Sequence, residues 1–215
     1  MKNKHRNKRV AILCHIVMAV VVLPYVLLYP KNVSMLFINS HHTPWLDTVM
    51  YHITRLPELA FIVFVFILGL FAERRQFLAI VVAMSLSGLS ILLFKNVLFP
   101  DFDRPFQWLN ANQVNFHHVP GIRLHSNGSF PSGHTIAAFC SLALVGFVSK
   151  KGWLQALLFI VACSAAYSRV YAAQHYLMDV YAGALIGFFY AFLFTWLFEK
   201  WFTTPVWLKP LIKFS

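Results

Sequence analysis

The chain's most reactive side chains lie between Tyr167 and Asp179, where an arginine, a histidine and an aspartate occur within an apolar stretch. His175 and Asp179 are four residues apart, so they share one face of a helix, and Asp179 can accept the Nδ1–H of His175. That pairing leaves Nε2 free, as in an activated histidine nucleophile. Arg169 would point away from His175 in one unbroken helix, so the spacing predicts a turn at residues 171–174 that brings both into one pocket.

A second group of candidate residues is the sequence Pro131-Ser132-Gly133-His134, which precedes an apolar run. The N-terminus of a helix presents unpaired N–H groups and a partial positive charge, so it binds phosphate readily. Glycine lets an anion approach the backbone closely, Ser132 adds a hydroxyl, and His134 would lie near a leaving oxygen. The sequence therefore predicts an anion site at this helix start, although an ordinary helix start that contains a histidine is the alternative.

The elements that must position these residues are membrane helices. The chain has 215 residues, of which 59% are hydrophobic and 12% charged, and its mean hydropathy is +0.65, which excludes an ordinary soluble domain. Charges are costly inside a bilayer, at about 2.5–3.5 kcal/mol each, so those retained there indicate function. We predict an all-α polytopic membrane protein, one domain over residues 1–215, with six transmembrane helices at residues 10–30, 57–72, 77–99, 132–149, 153–171 and 177–198.

The positions of the basic residues predict the orientation. In a six-span arrangement, most lysines and arginines fall on one side, which the positive-inside rule assigns to the cytoplasm: Lys2, Lys4, Arg6, Lys8, Arg9, Arg74, Arg75, Lys150, Lys151, Lys200, Lys209 and Lys213. Both termini would then be cytoplasmic, in a bacterial inner membrane, with the active site facing the periplasm. The net charge of +11 follows mostly from this topology, so nucleic-acid binding is not predicted.

Two long loops lie on the outer side of this arrangement. In the first, Thr43-Pro44 is typical of a helix start, and helical periodicity follows, so we predict a short helix in the membrane interface. In the second, Arg123 is a candidate for contact with a substrate headgroup. The loop histidines are interpreted as solvated polar residues, with metal binding as the alternative: His41, His42, His52, His117, His118 and His125.

Three motifs, taken in order, resemble the signature of the type 2 phosphatidic acid phosphatase superfamily. They are Lys95 with Arg104-Pro105, then residues 131–134, then Ser168-Arg169 with His175 and Asp179. The resemblance covers residues 94–183. The interval between Lys95 and Arg104 is two residues longer than is usual in that family, and we expect residues 100–103 to bulge and absorb the difference.

The resemblance implies a metal-independent lipid phosphatase, a hydrolase of phosphoric monoesters or diphosphates. His175 would attack phosphorus and form a phosphohistidine, Asp179 would orient it, and His134 would protonate the leaving oxygen. Catalysis of phosphoryl transfer rests on positioning and on neutralising the equatorial oxygens, so cationic side chains can take the place of Mg²⁺, and no cofactor is predicted. The phosphate would be held by Lys95, Arg104, Ser132, Gly133 and Arg169.

The expected substrate is a lipid phosphate or diphosphate, because the reactive groups lie near the headgroup level. Undecaprenyl diphosphate and lipid A are favoured as substrates, without a ranking between them. A phosphatidyl phosphate is a further candidate substrate. The expected partners are this lipid and the bilayer, with no obligate protein partner. A transporter or channel with Arg169, His175 and Asp179 as an ion or proton relay is the alternative, and the lack of internal repeats counts against it. A vanadate-dependent haloperoxidase would share the anion pocket but is soluble.

Overall fold

The computed structural model describes residues 8–149 and 151–212, which fold into helices and contain no β-strand. The prediction of an all-α fold is therefore confirmed. A π-helical turn (Phe94–Leu98) continues the helix that ends at Leu93, and a 3₁₀ turn (Pro205–Leu208) follows the last helix. The helices are α1 (Arg9–Leu28), α2 (Lys31–Ser40), α3 (Pro44–Ile53), α4 (Leu59–Leu70), α5 (Arg74–Leu93), α6 (Pro105–Ala111), α7 (Gly133–Ser149), α8 (Gly152–Tyr171) and α9 (Leu177–Trp201).

Four helices are long and apolar enough to cross a membrane: α1, α5 with its π-helical turn, α8 and α9. The other two predicted spans correspond to α4 and α7, which are shorter apolar helices of 12 and 17 residues. A helix rises 1.5 Å per residue, so neither reaches the ~30 Å of a hydrocarbon core by itself. The layout with six spans stays a prediction.

The exposed side chains of α1 indicate whether water or lipid surrounds the helix bundle. Only Ala11 and His15 of this helix are buried, while leucines and valines such as Leu13, Val20 and Leu27 are exposed. Soluble proteins rarely expose a contiguous apolar surface of this kind, whereas a helix that faces lipid requires one. The chain is an integral membrane protein.

Two glycines on α9 allow it to pack closely against α7. A Cβ atom at Gly183 would lie 2.8 Å from the carbonyl oxygen of Ser132, and one at Gly187 would overlap the carbonyl oxygen of Ile136. Only glycine fits such an approach, in the manner of the small-residue contacts between membrane helices. The first turns of α7 and α9 are thereby held side by side, and both carry predicted site residues.

Hydrogen bonds at the opposite end of the bundle join the starts of α1 and α5 to the last part of the chain. Lys8 pairs with Glu199 at 2.8 Å, and the N–H of Arg74 donates to the carbonyl oxygen of Lys209 at 3.0 Å. Basic residues are frequent at this end, as predicted, but Lys2, Lys4, Arg6, Lys150 and Lys213 lie outside the described residues. The assignment of this end to the cytoplasm stays a prediction.

The first outer loop contains two short helices, of which the sequence indicated only α3. The start of α3 agrees with the prediction, since Thr43 Oγ1 accepts from the N–H of Leu46 at 3.2 Å and Pro44 is the first helical residue. The preceding helix, α2, begins directly after Pro30. Residence of α3 in the membrane interface stays a prediction.

Candidate active site

The turn between α8 and α9 brings Arg169 and His175 together. α8 ends at Tyr171, Ala173 has a φ of 51°, and the N–H groups of Gln174 and His175 both donate to the carbonyl oxygen of Arg169, at 2.9 and 3.2 Å. The turn predicted at residues 171–174 is therefore confirmed. It reverses the chain within a few residues, so that the last turn of α8 and the first turn of α9 contribute side chains to the same region.

His175 and Asp179 form a buried pair in this region. Nδ1 of His175 lies 3.4 Å from Oδ2 of Asp179, and both side chains are 1% exposed. The same carboxylate oxygen accepts from Ser129 Oγ at 2.5 Å and from the N–H of Tyr176 at 2.9 Å. Three donors thus fix the carboxylate, which in turn orients the imidazole and leaves its Nε2 on the opposite side.

The surroundings of His175 favour the neutral imidazole. Burial is the main reason that its pKa lies well below the ordinary value, and the nearby charges of Arg104, Arg169, Lys95 and His134 lower the pKa further. A neutral imidazole has a lone pair available for attack at physiological pH. Four of the predicted site residues therefore act on this one imidazole.

The start of α7 lies against the start of α9. The N–H of Ser132 donates to the carbonyl oxygen of Asp179 at 3.1 Å, and Ser132 Oγ accepts from Thr135 Oγ1 at 2.9 Å. The N–H of Thr135 also donates to this oxygen, at 3.4 Å, so the hydroxyl of Ser132 caps α7 and keeps its own proton for another acceptor. A Cβ at Gly133 would lie 3.2 Å from Ile91, so glycine keeps this helix start close to α5. His134 follows, half-buried, in the first turn.

Two arginines approach each other at Gln174. Arg169 Nη2 lies 3.4 Å and Arg104 Nη1 3.5 Å from Gln174 Oε1, and Arg169 Nη1 donates to Thr54 Oγ1 at 2.6 Å. Neither guanidinium pairs with a carboxylate among residues 8–149 and 151–212. Positive charge is thus concentrated without an anionic partner in this part of the structure, which suits binding of a phosphate group.

Several buried polar atoms of the site lack a protein partner within the described ranges. They include the donors Arg169 Nε, Gln174 Nε2 and Tyr176 Oη, and the acceptor Asp179 Oδ1. Burial raises the pKa of Tyr176 to about 12, so its hydroxyl stays a donor. Each unsatisfied buried group costs about 1–3 kcal/mol, and donors outnumber acceptors here, so an anion would relieve more of this cost than a cation.

The part of the chain that carries the site residues matches a known protein family. The sequence model of the PAP2 superfamily matches residues 76–203, more than half of the chain. The chain belongs to the PAP2 superfamily. It is 30% identical over 159 residues to the putative undecaprenyl-diphosphatase YbjG of Escherichia coli K12, covering 72% of this chain and 74% of that protein.

Further PAP2 relatives extend over most of the chain. The lipid A 4'-phosphatase of Bacteroides thetaiotaomicron is 27% identical over 176 residues, which cover 77% of this chain and 76% of that protein. The crystal structure of Aquifex aeolicus LpxE has the same fold, with a TM-score of 0.65, 24% identity, and coverage of 78% of this chain and 93% of that one.

The longer interval in the first PAP2 motif begins in a π-helical turn at Phe94–Leu98, in which the N–H of Phe99 donates to the carbonyl oxygen of Phe94 at 2.7 Å. A π-helical turn inserts an extra residue into a helix, and a short turn follows at residues 100–101. The bulge expected at residues 100–103 stays a prediction. Lys95 lies within the π-helical turn, and its Nζ donates to the carbonyl oxygen of Gly128 at 2.8 Å. Arg104 then reaches Gln174 despite the longer interval.

The outer-loop histidines do not form a metal site in the part of the chain that the structure describes, where no cluster of three or more histidine, cysteine, aspartate or glutamate side chains could hold an ion. His117 instead contacts the carboxylate of Asp47 at 2.8 Å, and Nε2 of His118 lies 2.8 Å from the carbonyl oxygen of Ile122. His125 is exposed, and its pKa is lowered by partial burial and then by the charges of Arg104 and other cations. Arg123 is also exposed.

Sequence reasoning missed three polar residues that contact the PAP2 motif side chains. Ser129 donates to Asp179, Thr54 accepts from Arg169, and Gln174 lies between two arginines. The first two are distant in sequence from their partners and have no spacing signal. Gln174 had one available signal, since it is a polar residue adjacent to His175 inside an apolar stretch.

Proposed function

We propose that this membrane lipid phosphatase removes phosphate from a lipid phosphate or diphosphate at the outer face of the membrane, through a phosphohistidine and without a metal ion. The observation that carries the proposal is the buried His175–Asp179 pair beside two arginines that have no carboxylate partner among the described residues. A carboxylate-oriented imidazole next to concentrated positive charge is suited to attack on a phosphoryl group.

The reaction would proceed in two balanced steps. Nε2 of His175 attacks phosphorus, a P–N bond forms, and the P–O bond to the leaving group breaks as His134 donates a proton to that oxygen. Water then attacks the phosphohistidine, His134 takes a proton from the water, and the P–N bond breaks to release inorganic phosphate. Asp179 holds Nδ1–H throughout and stabilises the positive charge that develops on the imidazole.

The phosphoryl oxygens would be neutralised by side chains and by the helix start. Arg104 and Arg169 offer planar forks of N–H donors, and Lys95 supplies a compact charge. The start of α7 adds the N–H of Gly133 and the hydroxyl proton of Ser132. The transition state spreads charge over the equatorial oxygens, so these groups would stabilise it more than the ground state.

An apolar cavity supports a lipid as substrate. A cavity of about 140 Å³ lies between α1, α2, α7, α8 and α9, and its lining includes Met18, Val22, Val170, Leu177 and Tyr181. Val170 follows Arg169 directly and Leu177 is two residues after His175, so the hydrocarbon chain of a substrate could lie here with its phosphate at the site. Relatives named for undecaprenyl diphosphate and lipid A support a lipid of this kind as the substrate.

The test is phosphate release from a panel of lipids by the detergent-solubilised protein, with His175→Ala as the comparison. The panel contains undecaprenyl diphosphate, lipid A, phosphatidate and phosphatidylglycerol phosphate. We expect release from at least one lipid by the parent chain, a loss of at least a thousandfold in the variant, and a phosphate-labelled protein during turnover that depends on His175. Release that does not require His175 would refute the mechanism, and no release from any lipid would favour the relay of a transporter.

A further inference from the structure

Gln174 is a buried neutral residue between two cations. Its side chain is 1% exposed, and its Oε1 lies 3.4 Å from Arg169 Nη2 and 3.5 Å from Arg104 Nη1. Arg104 also approaches the backbone carbonyl of Gln174, at 3.4 Å. The residue therefore joins Arg169, in the last turn of α8, to Arg104, which directly precedes α6.

The chemistry of the guanidinium group fixes the orientation of the Gln174 amide. Guanidinium groups only donate hydrogen bonds, so the amide oxygen must face the two arginines and the NH₂ group must point away from them. This NH₂ group is buried, and Nε2 has no protein partner within the described ranges. A buried donor beside two cations and next in sequence to His175 is placed to meet an anionic oxygen.

We propose that Gln174 binds the phosphoryl group directly: Oε1 aligns Arg104 and Arg169, while Nε2 donates to a phosphoryl oxygen. This inference rests on the proposed phosphatase function. A neutral acceptor suits the first task because it holds two guanidinium groups together without cancelling their charge. A carboxylate at the same position would hold them more strongly, but it would neutralise the cations and repel the phosphate.

The experiment measures binding of inorganic phosphate to the full chain in detergent, by the inhibition constant against lipid hydrolysis and by the shift in thermal midpoint that phosphate causes. Gln174→Met removes both hydrogen-bonding functions at similar size, and Gln174→Glu keeps the acceptor but loses the donor. Gln155→Met is the matched control, because Gln155 is an equally buried glutamine that bonds Ala11 and Gly146 at the far end of the bundle.

We expect the inhibition constant for phosphate to rise about 10- to 100-fold in Gln174→Met, since a hydrogen bond to a charged group is lost. In Gln174→Glu the inhibition constant should rise at least as much. Gln155→Met should alter the thermal midpoint but leave the inhibition constant within about twofold of the parent value. The shift in thermal midpoint caused by phosphate should shrink in both Gln174 variants. That shift is measurable even in a destabilised protein, and Gln174→Asn provides a milder change if the other variants fold poorly.

Two results would overturn the inference. If Gln174→Glu bound phosphate as tightly as the parent chain, Gln174 would only tether the arginines. If Gln174→Met did so, the residue would have no role in phosphate binding. Failure of the proposed function is a separate outcome: a parent chain that hydrolyses no lipid, yet is stabilised by phosphate in a manner that depends on Gln174, would refute the phosphatase and retain the binding site.

Discussion

Replacement of Asp179 by asparagine tests how the site activates its histidine. The carboxylate oxygen Oδ2 accepts from Ser129 and Tyr176, and it lies 3.4 Å from Nδ1 of His175. Asparagine has the same shape, and its amide oxygen can still accept from Ser129 and Tyr176. The substitution therefore removes the negative charge while the helix start is kept, so the effect on turnover should exceed the effect on stability.

The distance between the two side chains sets the expected magnitude. When His175 attacks phosphorus, positive charge develops on the imidazole 3.4 Å from the carboxylate. At an effective dielectric constant of about 20, a full charge at this distance would be stabilised by about 5 kcal/mol, and a half-developed charge by about 2.5 kcal/mol. Each 1.36 kcal/mol changes a rate tenfold, so kcat should fall about 70-fold.

The assay is steady-state phosphate release from the preferred lipid, together with the thermal midpoint in detergent. KM should change by less than about threefold, because Asp179 lies behind His175 and does not contact the phosphate. Asp101→Asn is the matched control, since Asp101 is an exposed aspartate in the second outer loop, and this variant should behave like the parent. A fall in kcat of less than threefold at an unchanged thermal midpoint would refute stabilisation of the imidazole by Asp179.

Three further predictions concern pH, metal ions and helix packing. Burial and nearby cations hold the pKa of His175 well below its usual value. Protonation of this residue should therefore not reduce kcat/KM as pH falls through 6.5. A fall in kcat/KM that is centred at this pH and depends on His175 would contradict this prediction. EDTA should leave phosphate release unchanged, and a loss restored by a divalent ion would count against the mechanism. Gly187→Ala should lower stability by about 1–3 kcal/mol, because its Cβ would overlap the carbonyl oxygen of Ile136, whereas Gly88→Ala, with open space at its Cβ, should not.

Local spacing predicted the part of the site that is formed by one short stretch of chain. His175 and Asp179 do meet, as predicted, but His175 precedes Tyr176, the N-cap of α9, so the pair joins the turn before the helix to its first turn rather than two positions on one helix. Thr43 caps α3 because of its position before Pro44. The turn after Tyr171 followed from the need to bring Arg169 and His175 to one side. Each of these features depends on a few neighbouring residues, so the sequence alone was sufficient.

Features that depend on distant contacts could not be predicted in this way. Thr54 and Arg169 are 115 residues apart, and Ser129 and Asp179 are 50 apart, so only the packed bundle shows that they meet. The span predicted at residues 57–72 is four residues longer than α4, in part because Phe71 and Ala72 are apolar but lie beyond the helix, whereas the span predicted at residues 132–149 exceeds α7 by one residue. The π-helical turn before Phe99 was missed because its extra residue leaves no mark in an apolar sequence.

The contact between Thr54 and Arg169 restricts how this enzyme can acquire new substrates. Thr54 directly follows the last residue of α3, so a helix that we predict to lie in the membrane interface also holds a cation that we assign to catalysis. Grafting this segment from a relative with another preference would shift the arginine, and turnover would change together with selectivity. Natural or laboratory evolution toward a different lipid must therefore vary this segment and the end of α8 jointly.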